Sequence, residues 1–294
     1  MDNNSLIPDY IDFFGLQDHP FKLTPDTNYF FPSTTHKATY EILKYGLLRN
    51  EGFIIITGVP GSGKTLLLRL LLKENLNNKE FALLLSSNLT PKELLFSILF
   101  DLNITNNNYS IEYALRIFYD YLLNIGCQNK KLVIIVDEAQ NLSFDTLEEL
   151  RLLSNFETET FKLLQIILVG QPSLSQKLYS EKLYQLRQRI TIWEEILPLN
   201  KEETLAYITF RWQQAGGGLI KIERGALNLL YRASGGIPRQ INKIMDRAAL
   251  FAAAERKKFF SKKILEAALE NLKIPDKGFW GRIKSYFYFK NSYL

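Results

Sequence analysis

The stretch Gly58-Val59-Pro60-Gly61-Ser62-Gly63-Lys64-Thr65 fits the pattern G-x-x-x-x-G-K-S/T. Each residue type has a chemical use at its position. Gly58, Gly61 and Gly63 permit backbone angles closed to other residues and let the chain approach a ligand. Successive backbone N–H groups then form a nest for anions at a helix N-terminus. Lys64 brings a point charge to β- and γ-phosphates, and the Thr65 hydroxyl suits Mg²⁺. The implied chemistry is binding of a nucleoside triphosphate. A chance Gly-rich turn is the plain alternative, and the neighbouring residues argue against it. Phe53–Thr57 is a short β-rich apolar run, and Leu66 opens the helix-like run that continues to Leu72. Strand, Gly-rich turn and helix are the context such a loop requires.

A second group of residues suits hydrolysis. Asp137 and Glu138 follow the apolar run Leu132–Val136. Ligands of open α/β sheets sit outside the carboxyl ends of the strands, so this pair and the phosphate loop are expected at one sheet edge. Asp137 is the candidate Mg²⁺ partner and Glu138 the candidate that polarises an attacking water. An acidic pair also suits a helix N-terminus for its dipole alone; the upstream phosphate loop favours the catalytic reading. Gln171 lies just past Leu168-Val169-Gly170 and precedes Pro172. Its amide can orient water or touch a γ-phosphate, or it is simply a turn residue. Arg187 and Arg189 precede a last strand. Either guanidinium could reach a neighbouring subunit's γ-phosphate, or both belong to a solvated helix end. Arg239 opens a late helix, as a γ-phosphate sensor or as a surface arginine.

These residues need a scaffold, and the rest of the chain supplies its pattern. Its 294 residues suffice for one or two domains, and 46% hydrophobic with 23% charged residues is ordinary for a globular protein. One cysteine, Cys127, excludes a disulfide framework, and two histidines, His19 and His36, leave little for a transition-metal centre. The N-terminus shows no basic segment followed by an apolar one, and no run has the length of a transmembrane helix. A cytoplasmic location is expected. The net charge of +5 permits contact with nucleic acid or an anionic membrane without requiring either.

Residues 1–50 read as a lead-in with Pro20, Pro25 and Pro32, followed by an amphipathic helix from about His36 to Leu48. Residues 51–199 alternate strands with helices. Strands are expected at Phe53–Thr57, Phe81–Leu85, Leu132–Val136, Leu163–Val169 and about 190–197. Helices are expected at Pro91–Leu102, Ser110–Ile125 and Asp145–Ser154. Unbroken apolar strands alternating with helices predict a parallel sheet covered on both faces. After Pro198 only helical patterns remain, at about 201–214, 223–233, 238–255 and 261–272, punctuated by Gly216–Gly218 and Gly235-Gly236. Residues 200–275 thus read as a small helical domain. Residues 276–294 form a basic, aromatic tail. Phe279, Trp280, Ile283, Tyr286 and Phe287 share one helical face there, suited to a membrane surface, a partner, or the chain's own helices.

Taken together, these strings resemble the AAA+ ATPases, and among them the GspA/ExeA secretion group and its short MshM-like form. The resemblance covers residues 10–270 or so. It is carried by Phe14-Gly15-Leu16, Pro20-Phe21, the phosphate loop, Val136-Asp137-Glu138-Ala139-Gln140-Asn141-Leu142 and Glu148–Asn155. Leu164–Pro172, Leu186-Arg187-Gln188-Arg189-Ile190 and Ala233–Arg239 complete it.

The resemblance implies a P-loop NTPase fold, an α/β three-layer sandwich. Its parallel sheet would have five strands with the phosphate-loop strand central, and an all-helical lid would follow. It also implies ATP hydrolysis with Mg²⁺, coupled to self-assembly. Lys64 and Thr65 would bind phosphate and Mg²⁺, with Asp137 on the metal side and Glu138 as the catalytic glutamate. Gln171 takes the sensor-1 position and Arg239 the sensor-2 position. Arg189 is the first choice for an arginine finger and Arg187 the second, and Pro20 and Phe21 would line the adenine pocket. Longer members fuse this ATPase to a membrane span and a peptidoglycan-binding region, and neither follows residue 275. The implied partners are further copies of the chain and an inner-membrane secretion, pilus or polysaccharide-export protein, with the ATPase peripheral at that membrane. A transposition ATPase of the TniB/TnsC type shares these motifs and would bind DNA. A nucleotide-binding module with little turnover is a third reading, opposed by the intact Glu138.

Overall fold

The computed structural model describes residues 9–74, 78–85, 88–104, 110–156 and 162–274. The aromatic tail expected at 276–294 lies outside the described residues. The elements in order are α1 (Tyr10–Phe14), α2 (Thr34–Arg49), β1 (Phe53–Gly58), α3 (Lys64–Lys73), β2 (Lys79–Leu84), α4 (Pro91–Asp101) and α5 (Ile111–Cys127). Then come β3 (Lys131–Val136), α6 (Phe144–Leu153), β4 (Leu164–Gly170), α7 (Pro172–Leu178), α8 (Tyr184–Arg187) and β5 (Ile190–Ile196). Four helices close the described chain: α9 (Lys201–Gln214), α10 (Arg224–Ser234), α11 (Pro238–Ala254) and α12 (Lys262–Asn271). They divide into two compact units, one of residues 34–60 and 67–196, the other of 9–33, 61–66 and 197–274. Among the described residues no helix is long and apolar enough to cross a membrane.

The first unit is a five-stranded sheet in the order β2-β3-β4-β1-β5. Every pairing is parallel. The phosphate-loop strand β1 is interior but off centre, since β4 takes the middle. All six residues of β1 and all seven of β4 are buried, as continuous apolar strands require. Their side chains alternate between the faces. Phe53, Ile55, Ile134, Ile166 and Leu168 pack with Leu94 of α4, Phe118 of α5 and Leu147 of α6. Ile54, Ile56, Val133, Ile135 and Ile167 pack with Leu43 and Leu47 of α2 and Leu67 and Leu71 of α3. The result is three layers, with each fully buried aliphatic side chain contributing about 1.5–3 kcal/mol. Thr90 and Glu93 form a reciprocal capping box at α4, with Pro91 at its first turn.

The second strand begins two residues earlier than its apolar run, at Lys79. Lys79 is 8% exposed and pairs in register with Lys131. Its ammonium donates to Asn50 Oδ1 at 2.8 Å and to Gln165 Oε1, so burial is tolerated through amide oxygens.

The second unit is helical. Ile208, Trp212, Leu230, Ile244, Met245, Phe260 and Leu265 form its core together with Tyr10, Leu16, Phe21 and Tyr29. The lead-in therefore parts at residue 33: residues 9–33 pack with the helices, and α2 packs on the sheet. Asn200 and Glu203 form a capping box that starts α9. Gly236 has φ +70°, and a Cβ there would fall 1.9 Å from the Leu199 carbonyl oxygen. The same two residues are tied by Leu199 N–H donating to the Gly236 carbonyl at 2.9 Å.

Two outcomes are expected. Gly236→Ala must strain a left-handed backbone and displace Leu199, costing at least about 1–2 kcal/mol; thermal unfolding should show a lowered Tm. Burial, reinforced by the Lys131 charge, brings the Lys79 ammonium from 10.5 down to about 8. Between these values the unfolded chain binds a proton that the folded chain has released, so this group makes stability rise with pH across the window. Urea unfolding from pH 8 to 10.5 should show that contribution as the difference between the parent chain and Lys79→Met. Parallel profiles for the two proteins would refute it.

Candidate functional site

Parallel pairing brings the ends of β1, β3 and β4 to one sheet edge. Thr57 of β1 pairs with Gly170 of β4, and Val136 of β3 pairs with Leu168. Gly58, Asp137 and Gln171 follow from those ends. Asp137 is 5% exposed, and its N–H donates to the Leu84 carbonyl at 3.1 Å.

Glu138 turns the chain sharply. Its φ is +54°, a left-handed conformation that a non-glycine residue adopts at a cost of about 1–2 kcal/mol. Its N–H donates to Asp137 Oδ1 at 2.9 Å. Gln140 Nε2 donates to Glu138 Oε2 at 2.7 Å, and Gln171 Nε2 donates to the same oxygen at 3.2 Å. Gln140 Oε1 in turn accepts the Gln171 N–H at 3.0 Å. Glu138, Gln140 and Gln171 thus form one closed cluster, with two amides orienting a carboxylate. A Cβ on Gly170 would come within 2.9 Å of Gln140 Oε1, so glycine keeps this approach open. Lys177 of α7 donates to the carbonyls of Gln140 at 2.7 Å and Leu142 at 2.6 Å, holding the turn from below. Burial lowers the pKa of its ammonium. Gln140 and Lys177 were not singled out as site residues from the sequence. Gln140 stands inside the Asp-Glu-Ala-Gln string, which is the signal that pointed nearest to it.

Residues Gly61–Leu66 belong with the helical unit. Gly61 and Gly63 have φ of +82° and +104°. The Arg239 N–H donates to the Gly61 carbonyl at 3.3 Å, and a Cβ on Gly61 would meet Arg239 Cβ at 2.6 Å. Glycine is required here because the first turn of α11 rests on the loop. Lys64 and Ser62 are buried, Val59, Thr65 and Leu66 half-buried, and Pro60 exposed. Pro20 and Phe21 are buried in the same unit, with the Phe21 ring 6.2 Å from that of Trp212.

The two arginines before β5 are engaged within the chain. Arg189 donates to Ser154 Oγ at 2.7 Å and to the Arg151 carbonyl at 3.4 Å, both at the end of α6. Arg187 donates to the Tyr179 carbonyl at 3.1 Å and lies 5.5 Å from the ring centres of Tyr179 and Tyr184.

Among the described residues no group of three His, Cys, Asp or Glu side chains could enclose a metal. Mg²⁺ needs no such group, because it takes few protein ligands and several oxygens from phosphate and water.

A phosphate loop after an interior parallel strand, an acidic pair after the next strand but one, and an appended helical unit define a P-loop ATPase of the AAA+ class. Residues 48–178 match the family described as an AAA domain. Over 273 residues the chain is 40% identical to General secretion pathway protein A of Aeromonas hydrophila, covering 92% of this chain and 50% of that protein. The chain is thus similar to the GspA/ExeA group of AAA+ ATPases, and it spans about half the length of this relative. The fold is shared with Cdc6p of Pyrobaculum aerophilum at a TM-score of 0.64 and 19% identity, covering 84% of this chain and 71% of that one. It is shared also with Aeropyrum pernix ORC2, solved in ADPNP–ADP complexes, at a TM-score of 0.61 and 17% identity over 92% and 70% of the two chains.

Gln140→Ala should free the Glu138 carboxylate and the Gln171 N–H together. Loss of this orientation is worth about 1–2 kcal/mol, so kcat should fall on the order of tenfold with nucleotide Kd unchanged. Steady-state phosphate release alongside equilibrium nucleotide binding checks both halves.

Proposed function

We propose that the chain hydrolyses ATP with Mg²⁺ in an assembly of its own copies, and that turnover energises or regulates a bacterial envelope machine for secretion, pilus assembly or polysaccharide export. The clamped Glu138 carries the hydrolytic half of this reading. A carboxylate aimed by two amides at the sheet edge is built to polarise a water. In this reading Lys64 and the backbone nest would hold the phosphates, and Thr65 and Asp137 would hold Mg²⁺, which would supply neutralisation of phosphate charge. Gln171 orients the water together with Glu138. Arg239 senses the γ-phosphate. Arg189 of a neighbouring copy neutralises charge in the transition state, exchanging its bonds to Ser154 and Arg151 for the phosphate, with Arg187 as second choice.

The envelope role is supported by the 40% identity to General secretion pathway protein A. The folds shared with Cdc6p and ORC2 lie under 20% identity and support the architecture alone. We place the protein in the cytoplasm, peripheral at the inner membrane through a partner or through residues 276–294.

Lys64→Ala should abolish nucleotide binding. Glu138→Gln should bind ATP and retain it unhydrolysed, as shown by the nucleotide recovered after gel filtration. Arg189→Ala should bind ATP but not turn it over, with activity returning when it is mixed with Glu138→Gln, whose own Arg189 is intact. Full activity of Arg189→Ala alone sinks the shared-site reading. ATPase activity stimulated by DNA, with affinity falling steeply with salt, would replace the envelope role by the transposition one.

A further inference from the structure

The turn from α11 to α12 concentrates positive charge. Residues 255–263 hold Arg256, Lys257, Lys258, Lys262 and Lys263 against the single carboxylate of Glu255, in a chain whose formal net charge is +5. Lys257 pairs with Glu255 at 2.7 Å and Lys262 with Glu266 at 3.3 Å. Arg256, Lys258 and Lys263 have no ion-pair partner among the described residues. The helix dipole accounts for part of this pattern and opposes the rest. Arg256 and Lys257 follow the C-terminus of α11, where cations are favoured. Lys262 and Lys263 stand in the first turn of α12, where cations are disfavoured and no acidic residue offsets them. Glu223 answers from outside the helix, accepting the Lys262 N–H at 2.9 Å.

Apolar side chains stand among these charges. A parallel bridge pairs Ile222 with Phe260. The Phe260 N–H donates to the Lys221 carbonyl at 2.8 Å, and the Glu223 N–H donates to the Phe260 carbonyl at 3.0 Å. Phe260 is buried in the helical core, and Ile222 packs against that core. Alternation along the two extended segments therefore turns Lys221 and Phe259 outward together. Phe259 is 43% exposed, and Leu219, two residues before Lys221, is 82% exposed. Lys258 lies over the Phe13 ring at 5.8 Å, so α1 borders the same patch.

We propose that this turn is a docking surface for an anionic phospholipid bilayer. Its cations meet lipid phosphates, while Phe259 and Leu219 enter the boundary between headgroups and acyl chains. Long lysine and arginine stems can lie along the apolar layer with their charged heads in water. Single-stranded nucleic acid asks instead for open aromatic faces on which bases stack. Leu219 offers none, and Phe13 carries Lys258. The inference rests on the peripheral placement proposed above and deepens it, with a contact separate from residues 276–294.

The test is co-sedimentation of the full chain with vesicles of phosphatidylcholine alone, or of phosphatidylcholine and phosphatidylglycerol in equal parts. The parent should bind the mixed vesicles and not the neutral ones, less tightly as salt is raised. Arg256→Gln/Lys258→Gln/Lys263→Gln should weaken that binding on the order of tenfold or more. Phe259→Ser should weaken it about fivefold. All four side chains are exposed, so both variants should unfold at the parent's Tm. Arg282→Gln/Lys284→Gln is the control for the tail. Turn variants that bind like the parent overturn the proposal; if the tail variant alone loses binding, the peripheral placement stands without it. A parent that ignores the mixed vesicles overturns the proposal and leaves placement through a partner. A labelled oligonucleotide is the last arm: turn variants that lose it while keeping the vesicles assign the surface to nucleic acid and overturn the proposal.

Discussion

The pairing of β1 with β4 positions most of the chemistry of the α/β unit. It sets Thr57 beside Gly170, so the chain that enters the phosphate loop and the chain that enters Gln171 leave the sheet side by side. β3 lies against the other edge of β4 and delivers Asp137 and Glu138 to the same end. Because side chains alternate at every residue, a slip of one position would turn Ile54 and Ile56 from the α2–α3 layer toward the α4–α6 layer. Burial on both faces penalises such a slip through every strand at once. The register that protects the core therefore also holds the edge that carries Asp137, Glu138 and Gln171.

At that edge the fold accepts local strain. Glu138 occupies a left-handed backbone conformation, and the turn after it is held by Lys177 through two carbonyls. The strain has a visible counterpart in the Glu138–Gln140–Gln171 cluster, where one carboxylate oxygen receives two amide donors. Strain at a functional turn persists only where its surroundings over-determine it, and the lysine and the two glutamines do so here.

The helical unit applies a different constraint. Helix α11 begins with the Arg239 N–H on the phosphate loop, and its Asn242 and Asp246, four residues apart, share one face. Each fastens a separate segment: the phosphate loop, the Pro20–Lys22 backbone and Tyr10. A motion of this helix would pull on all three attachments together. Arg211 reaches the Pro20 and Lys22 carbonyls from α9 and ties the same segment to a second helix.

The amino-acid sequence by itself determined the phosphate loop, the acidic pair after Val136, the apolar runs that became β1, β3 and β4, and the change to helices after Pro198. Each of these is a local pattern: a spacing, a periodicity, or a glycine where the backbone must turn. Tertiary structure alone decided the position of β4 in the middle of the sheet, the start of β2 at a buried lysine, and the parting of the lead-in at residue 33. It also chose the partners of Glu138, Arg189 and Arg211. Gln171 lies 33 residues from Glu138, Ser154 lies 35 from Arg189, and Pro20 lies 191 from Arg211. Polar contacts between side chains and distant backbone carry no period. They become definite only when strand register and helix packing have brought the two positions together.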